Sequence, residues 1–197
     1  MFAIMVPARS EIDRVEGLKG VEVAISSATI IEYLQDEMLE RSGFAEEDIA
    51  GQDVRQIPIR LQMLLAGQVE AALLPETLVS LAERSGARVI VDDTVLDLSE
   101  TVVALNDSLM SKDTTLKPRF LNALEKAAKK VNGESAGYGA ALLSDINVPP
   151  EVRDSYQIPE FPVNALPSER EIDEIQAWLI EKGIIKEKMP YARIVSR

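Results

Sequence analysis

Short apolar runs alternating with amphipathic stretches predict an α/β protein whose parallel or mixed sheet carries helices on both faces. Three observations in the first half of the 197-residue chain carry that prediction. Runs rich in Val, Ile, Leu and Ala recur from Phe2 to Val6, Val21 to Ile25, Glu70 to Leu74 and Arg88 to Val91. In the stretches between them, apolar residues return at intervals of three and four. Each helical stretch ends at a glycine, Gly43, Gly67 or Gly86, the residue best suited to stopping a helix.

Phe2 to Val6 reads as a strand closed by Pro7. Ser10 is placed to cap a helical turn through Val15, and Gly17-Leu18-Lys19-Gly20 turns the chain into the strand Val21 to Ile25. Three hydroxyls follow, Ser26, Ser27 and Thr29. Ile30, Ile31, Leu34, Met38 and Leu39 then recur at helical spacing, which predicts a helix over 29–42. Hydroxyls at that junction cap the orphan amides of the first turn, and the same amides and the helix dipole also suit an anion. Glu46-Glu47-Asp48 reads as a solvated acidic turn. A strand is expected from Val54 to Ile57 or Pro58, a helix from Ile59 to Ala66, and a strand from Glu70 to Leu74. Pro75 then fits the first turn of a helix running to about Arg84, and Arg88 to Val91 is the last strand of this half. Arg60 is expected on the solvated or ion-paired side of its helix.

After Val95 the texture changes. Thr101 to Leu105 (TVVAL) reads as one more strand. Leu116 to Val131 is a helix with Phe120, Leu124, Ala127 and Val131 on one face and Lys126, Lys129 and Lys130 along a solvated edge. Short helices are expected from Tyr138 to Leu143 and from Pro149-Pro150 through Arg153. Residues 157–167, holding Pro159, Pro162 and Pro167, read as an extended connector. Ser168-Glu169-Arg170-Glu171 is a capping box opening a helix that carries Ile172, Ile175, Trp178 and Leu179, with Trp178 in the core. Tyr191 to Val195 is expected to add a short strand. Too few strands occur here for a second sheet, so some apolar helix faces lack a partner layer.

Composition excludes several functions. A net charge of −12 argues against nucleic acid and against anionic membrane surfaces, both of which need clustered Lys and Arg. No His and no Cys occurs anywhere. That removes Ser–His–Asp and Cys–His nucleophiles, thiol redox chemistry and His or Cys zinc sites. No catalytic residue, metal site or cofactor is expected. No apolar run reaches the length of a membrane span, and residues 1–20 lack the pattern of a signal segment.

A set of segments resembles one family. Val15-Glu16-Gly17-Leu18-Lys19-Gly20, Ile25-Ser26-Ser27-Ala28-Thr29 and Ile57-Pro58-Ile59-Arg60-Leu61-Gln62-Met63 come first in order. The most specific stretch, Leu64-Leu65-Ala66-Gly67-Gln68-Val69-Glu70-Ala71-Ala72, follows, then Leu74-Pro75-Glu76 and Trp178-Leu179-Ile180-Glu181-Lys182-Gly183-Ile184-Ile185. Together they are similar to the type II periplasmic solute-binding proteins of ABC importers, in the branch binding aliphatic sulfonates, nitrate and thiamine precursors. The resemblance implies a two-lobed protein that closes on its ligand about a hinge near Val6–Ser10 and Val95–Thr101. It implies a complete second lobe at residues 18–96. Residues 1–17 and 97–197 would then form a first lobe lacking its N-terminal part.

The resemblance places Ser26, Ser27 and Thr29 at the cleft edge of the second lobe; Glu76, on the same carboxyl rim, and Asn106, after the return strand, are expected to reach the ligand as well. Glu76-Thr77 stands where many relatives have Glu-Pro. The expected partners are a small anionic or polar heterocyclic ligand and, for the full-length protein, an ABC permease; the resemblance implies a periplasmic or extracellular, membrane-anchored location for the full-length protein. Two alternatives stand beside this. One is a shortened interaction protein that self-associates through the incomplete lobe. The other is an enzyme like those making the thiamine pyrimidine, whose chemistry relies on histidine.

Overall fold

Side-chain alternation along three strands builds the core of this protein, seen in a computed structural model that describes residues 1–96, 101–134, 137–138, 141, 143, 145, 148–153, 156, 158, 160–163 and 165–195. Strands β1 (Phe2–Val6), β2 (Glu22–Ile25), β3 (Ala50–Asp53), β4 (Ala71–Pro75) and β5 (Arg88–Asp92) form one sheet in the order β3-β2-β4-β1-β5. Strand β2 runs parallel to β3 and β4, whereas β1 runs antiparallel to β4 and β5. The sheet is therefore mixed.

The pleat sends successive side chains to opposite faces. On one face Ile4, Val6, Val23, Ile25, Ala71 and Leu73 pack with Ile31, Leu34, Met38 and Leu39 of α1 (Ile30–Arg41). On the other face Ala3, Met5, Ala24, Ala72 and Leu74 pack with Leu61 and Leu64 of α2 (Ile57–Leu65) and Val79 and Ala82 of α3 (Leu78–Arg84). Small residues on β2 and β4 let the helices approach the second face closely. On the α1 face, Gly51 leaves room for the Ile25 side chain, since a Cβ there would stand 2.6 Å from Ile25 Cδ1.

The chain divides into two units, Met1–Leu98 with Asp173–Lys188, and Ser99–Ile172 with Met189–Arg197. Strand β1 sits inside the sheet between β4 and β5. Helix α6 (Glu169–Glu181) belongs to the first unit from Asp173 onward, and its Ile175 and Trp178 pack on the α1 face of the core.

In the second unit, α4 (Asp107–Lys112), α5 (Leu116–Gly133) and α7 (Tyr191–Ile194) accompany the start of α6, Pro150–Val152 forms the expected short helical turn, and residues 137–138, 141, 143 and 145 are helical. The expected strand Thr101 to Leu105 does not form, and Val102 and Val103 are 64% and 56% exposed. Its composition suits a strand, but no neighbouring strand accepts its backbone groups among the described residues. Tyr191–Ile194 is helical rather than a strand, with Pro190 at its N-cap and the Tyr191 hydroxyl donating to the Pro167 carbonyl at 2.6 Å.

Other boundaries also move. The strand expected at Val54 lies earlier, at Ala50–Asp53, because residues from Ile57 onward enter α2. Pro75 ends β4 instead of starting α3. Residues 97–100 of the expected second hinge lie outside the described residues, as do parts of the expected Tyr138–Leu143 helix and of the 157–167 connector.

The alternation makes a direct prediction. Leu34→Ala, at a fully buried position, should cost about 2–5 kcal/mol in urea unfolding. Ile30→Ala, at a position 38% exposed on the same helix, should cost less than about 1 kcal/mol.

Candidate ligand-binding rim

Because β3, β2 and β4 are parallel neighbours, their carboxyl ends open onto one edge of the sheet, the place where α/β proteins take ligands. Three segments leave that edge: Ser26–Thr29 from β2, Val54–Gln56 from β3, and Glu76–Thr77 from β4. One side chain joins all three strand ends.

That side chain is Arg60, and its position corrects the expectation of a solvated surface residue. It is fully buried, on the same face of α2 as Leu61 and Leu64. The ladder between β2 and β4 ends at the pair Ala24–Ala72, and the guanidinium occupies the gap beyond it. Nη1 donates to the Leu73 carbonyl, Nε and Nη2 to the Val54 carbonyl at 3.2 and 3.0 Å, and Nη2 also to Ser26 Oγ. These partners are neutral oxygens. Burial pushes the pKa down to about 10, partly offset by the nearby Asp53 carboxylate, and the group stays charged at neutral pH.

The predicted site residues fare differently. Ser26 is buried; its hydroxyl accepts from Arg60 and donates to the Arg55 carbonyl at 3.3 Å, so it braces the turn instead of facing solvent. Ser27 donates its amide to Asp53 Oδ1 at 2.9 Å. Thr29 is the N-cap of α1: Oγ1 accepts from the Ile31 amide at 3.2 Å and donates to the Ser26 carbonyl at 2.7 Å. The Thr29 and Ile30 amides have no acceptor among the described residues and lie at an exposed helix start. Glu76 turns back on its own helix, where it accepts from the Ser80 amide at 3.1 Å and the Ser80 hydroxyl at 2.9 Å. Asn106 belongs to the second unit, where its Oδ1 caps α4 through the Leu109 amide at 3.1 Å.

Residues that sequence reasoning missed complete the rim. Asp53 bridges the Ser27 amide and Arg55 Nε (3.2 Å), and these two contacts hold its pKa below the usual carboxylate range. Glu32 Oε2 accepts from the Ala28 amide at 2.6 Å. Arg60 carried a readable signal, since residues 57, 60, 61 and 64 share one helical face. Among the described residues no cluster of His, Cys, Asp or Glu is placed to hold a metal. The rim thus offers hydrogen-bond donors and acceptors at the carboxyl ends of the strands.

Residues 1–134 match the sequence model of a family described as NMT1/THI5 like. The chain belongs to this family. Solved structures share its fold. The alkanesulfonate-binding protein SsuA from Xanthomonas axonopodis pv. citri, bound to MOPS, superposes with a TM-score of 0.73 at 22% identity over 94% of this chain. The periplasmic aliphatic sulphonate binding protein SsuA from Escherichia coli gives 0.76 at 21% identity over 95%. The chain spans 66% of the length of each of these two. A cysteine-to-serine variant of the desulfurization enzyme DSZB, in complex with biphenyl-2-sulfinic acid, gives 0.65 at 14% identity, covering 99% of this chain and 73% of that one. No curated protein matches the chain. The architecture is therefore that of the type II periplasmic binding proteins, partly represented.

Removing the Arg60 guanidinium should orphan the Val54 and Leu73 carbonyls at a buried position. Arg60→Met is expected to lose about 2–4 kcal/mol in chemical unfolding, and Arg60→Lys, which keeps the charge without the planar fork, an intermediate amount. Equal stability of all three proteins would show that the strand ends hold without it.

Proposed function

We propose that this protein is a solute-binding component of an ABC-type importer that holds a small anionic or polar heterocyclic solute at the β2–α1 turn and performs no chemistry. The observation that carries this reading is the pair of unpartnered amides, Thr29 and Ile30, at an exposed helix start beside the buried charge of Arg60. Membership of the NMT1/THI5-like family supports the transport role. The folds sharing this architecture include proteins whose ligands are an alkanesulfonate and a sulfinic acid, both sulfur oxyanions. A partner permease and an extracytoplasmic location follow from the same reading. Ser27 and Thr29 would face the solute, with Ser26 behind them; Glu76 and Asn106, both occupied as caps, would reach it only after changing partners.

A second reading has its own observation. The second unit exposes Val102, Val103, Leu109, Phe120 and Leu124, an apolar surface that would favour self-association. Light scattering on the purified chain separates the two, because a concentration-independent monomer removes the support for assembly. The enzyme reading has less support, as the chain holds neither His nor Cys.

Binding is best followed by amide resonances, which register weak contacts residue by residue. With ethanesulfonate, nitrate and an aminopyrimidine at about 10 mM, above a Kd of ~1 mM, at least one probe should shift the Thr29 and Ile30 amides. Thr29→Ala should weaken that response about fivefold. Absence of shifts with every probe would overturn the proposal.

A further inference from the structure

We propose that Lys182, just beyond the last turn of α6, is a positioning residue for the β2–α1 turn and acts on it through Glu32. The inference starts from a carboxylate with two attachments. Glu32 Oε2 accepts from the Ala28 amide at 2.6 Å, while its Oε1 lies 3.5 Å from Lys182 Nζ. Ala28 has a φ of 60°, a left-handed conformation that an alanine rarely adopts without a local contact to hold it. The Glu32 carboxylate is that contact, and the Asp53 carboxylate holds the amide before it.

Glu32 alone would spread over several rotamers, only some of which reach back to Ala28. Lys182 restricts that choice, and Lys182 is itself fixed. Its Nζ lies 2.8 Å from Asp36 Oδ2, which also accepts from Trp178 Nε1 at 2.8 Å, and 5.7 Å from the centre of the Trp178 ring. Trp178 in turn meets Tyr33 edge to face at 5.4 Å. Asp36 is buried, and its charge together with Glu32 raises the Lys182 pKa against the cost of desolvation. A segment from the far end of the sequence therefore sets the geometry of the turn near its beginning. The consequence for a solute rests on the binding function proposed above; the coupling itself does not.

Amide hydrogen exchange on the full chain without any solute tests the coupling. Lys182→Met, which keeps the packing on Trp178, is expected to speed exchange of the Ala28 amide about fivefold while the Leu73 and Met5 amides keep their rates. Lys182→Arg should restore the Ala28 rate. In a Glu32→Gln background, Lys182→Met should add nothing further. Unchanged Ala28 exchange, or the same added increase in the Glu32→Gln background, overturns the proposal. Faster exchange across the core amides together with Ala28 also overturns it, because Lys182 would then only dock α6. Since no solute takes part, this outcome is independent of the titration that tests solute binding.

Discussion

The carboxyl edge of the sheet depends on one buried guanidinium. Parallel strands β2 and β4 stop pairing after Ala24 and Ala72, and unpaired carbonyls at that depth would carry a desolvation penalty. Arg60 fills the opening with donors aimed at Ser26 after β2, Val54 after β3 and Leu73 within β4. A neutral side chain could occupy the volume but could not satisfy three diverging acceptors at once. The rim is an opening between strands because Arg60 lets it remain one.

Around that edge the packing is asymmetric in a useful way. The face covered by α1 carries the large side chains Ile4, Ile25 and Leu73, and there Ile31, Leu34, Met38 and Leu39 fix α1 along its length. The opposite face uses Ala3, Ala24 and Ala72, so α2 comes close enough for Arg60 to reach through to the strand ends. Trp178 and Lys182 add a second constraint on α1 from the C-terminal segment. The two helices that meet at the rim are thus held from different sides. The second unit has no such arrangement among its described residues: α5 leaves Phe120, Leu121 and Leu124 exposed, with only small parts of the unit buried around Ala128, Val148 and Val152.

How much of this was legible depends on the range of the forces involved. Strands β1 and β2 and helix α1 are written in local patterns, continuous apolar runs and a Thr cap, and they form where those patterns place them. Strand β3 is Ala50-Gly51-Gln52-Asp53, which has no strand signature; pairing with β2 makes it a strand. Thr101 to Leu105 is the reverse, a strand composition without a neighbour. At the site, the β2–α1 junction was readable, but the use of its hydroxyls was not. Ser26 turns inward because Arg60 is there, and Arg60 is there because its helical face, read as polar on account of its charge, is the buried one. Glu32 and Lys182 meet only because α6 returns to α1, which no local pattern encodes.

A crystal structure of the chain with ethanesulfonate would test the central claim, that an anion-holding turn stands on the Arg60 brace. The account predicts sulfonate oxygens within hydrogen-bond distance of the Thr29 and Ile30 amides, with the guanidinium still on Val54, Leu73 and Ser26. A sulfonate bound away from the β2–α1 turn, or an Arg60 that swings out to meet it, would contradict the account.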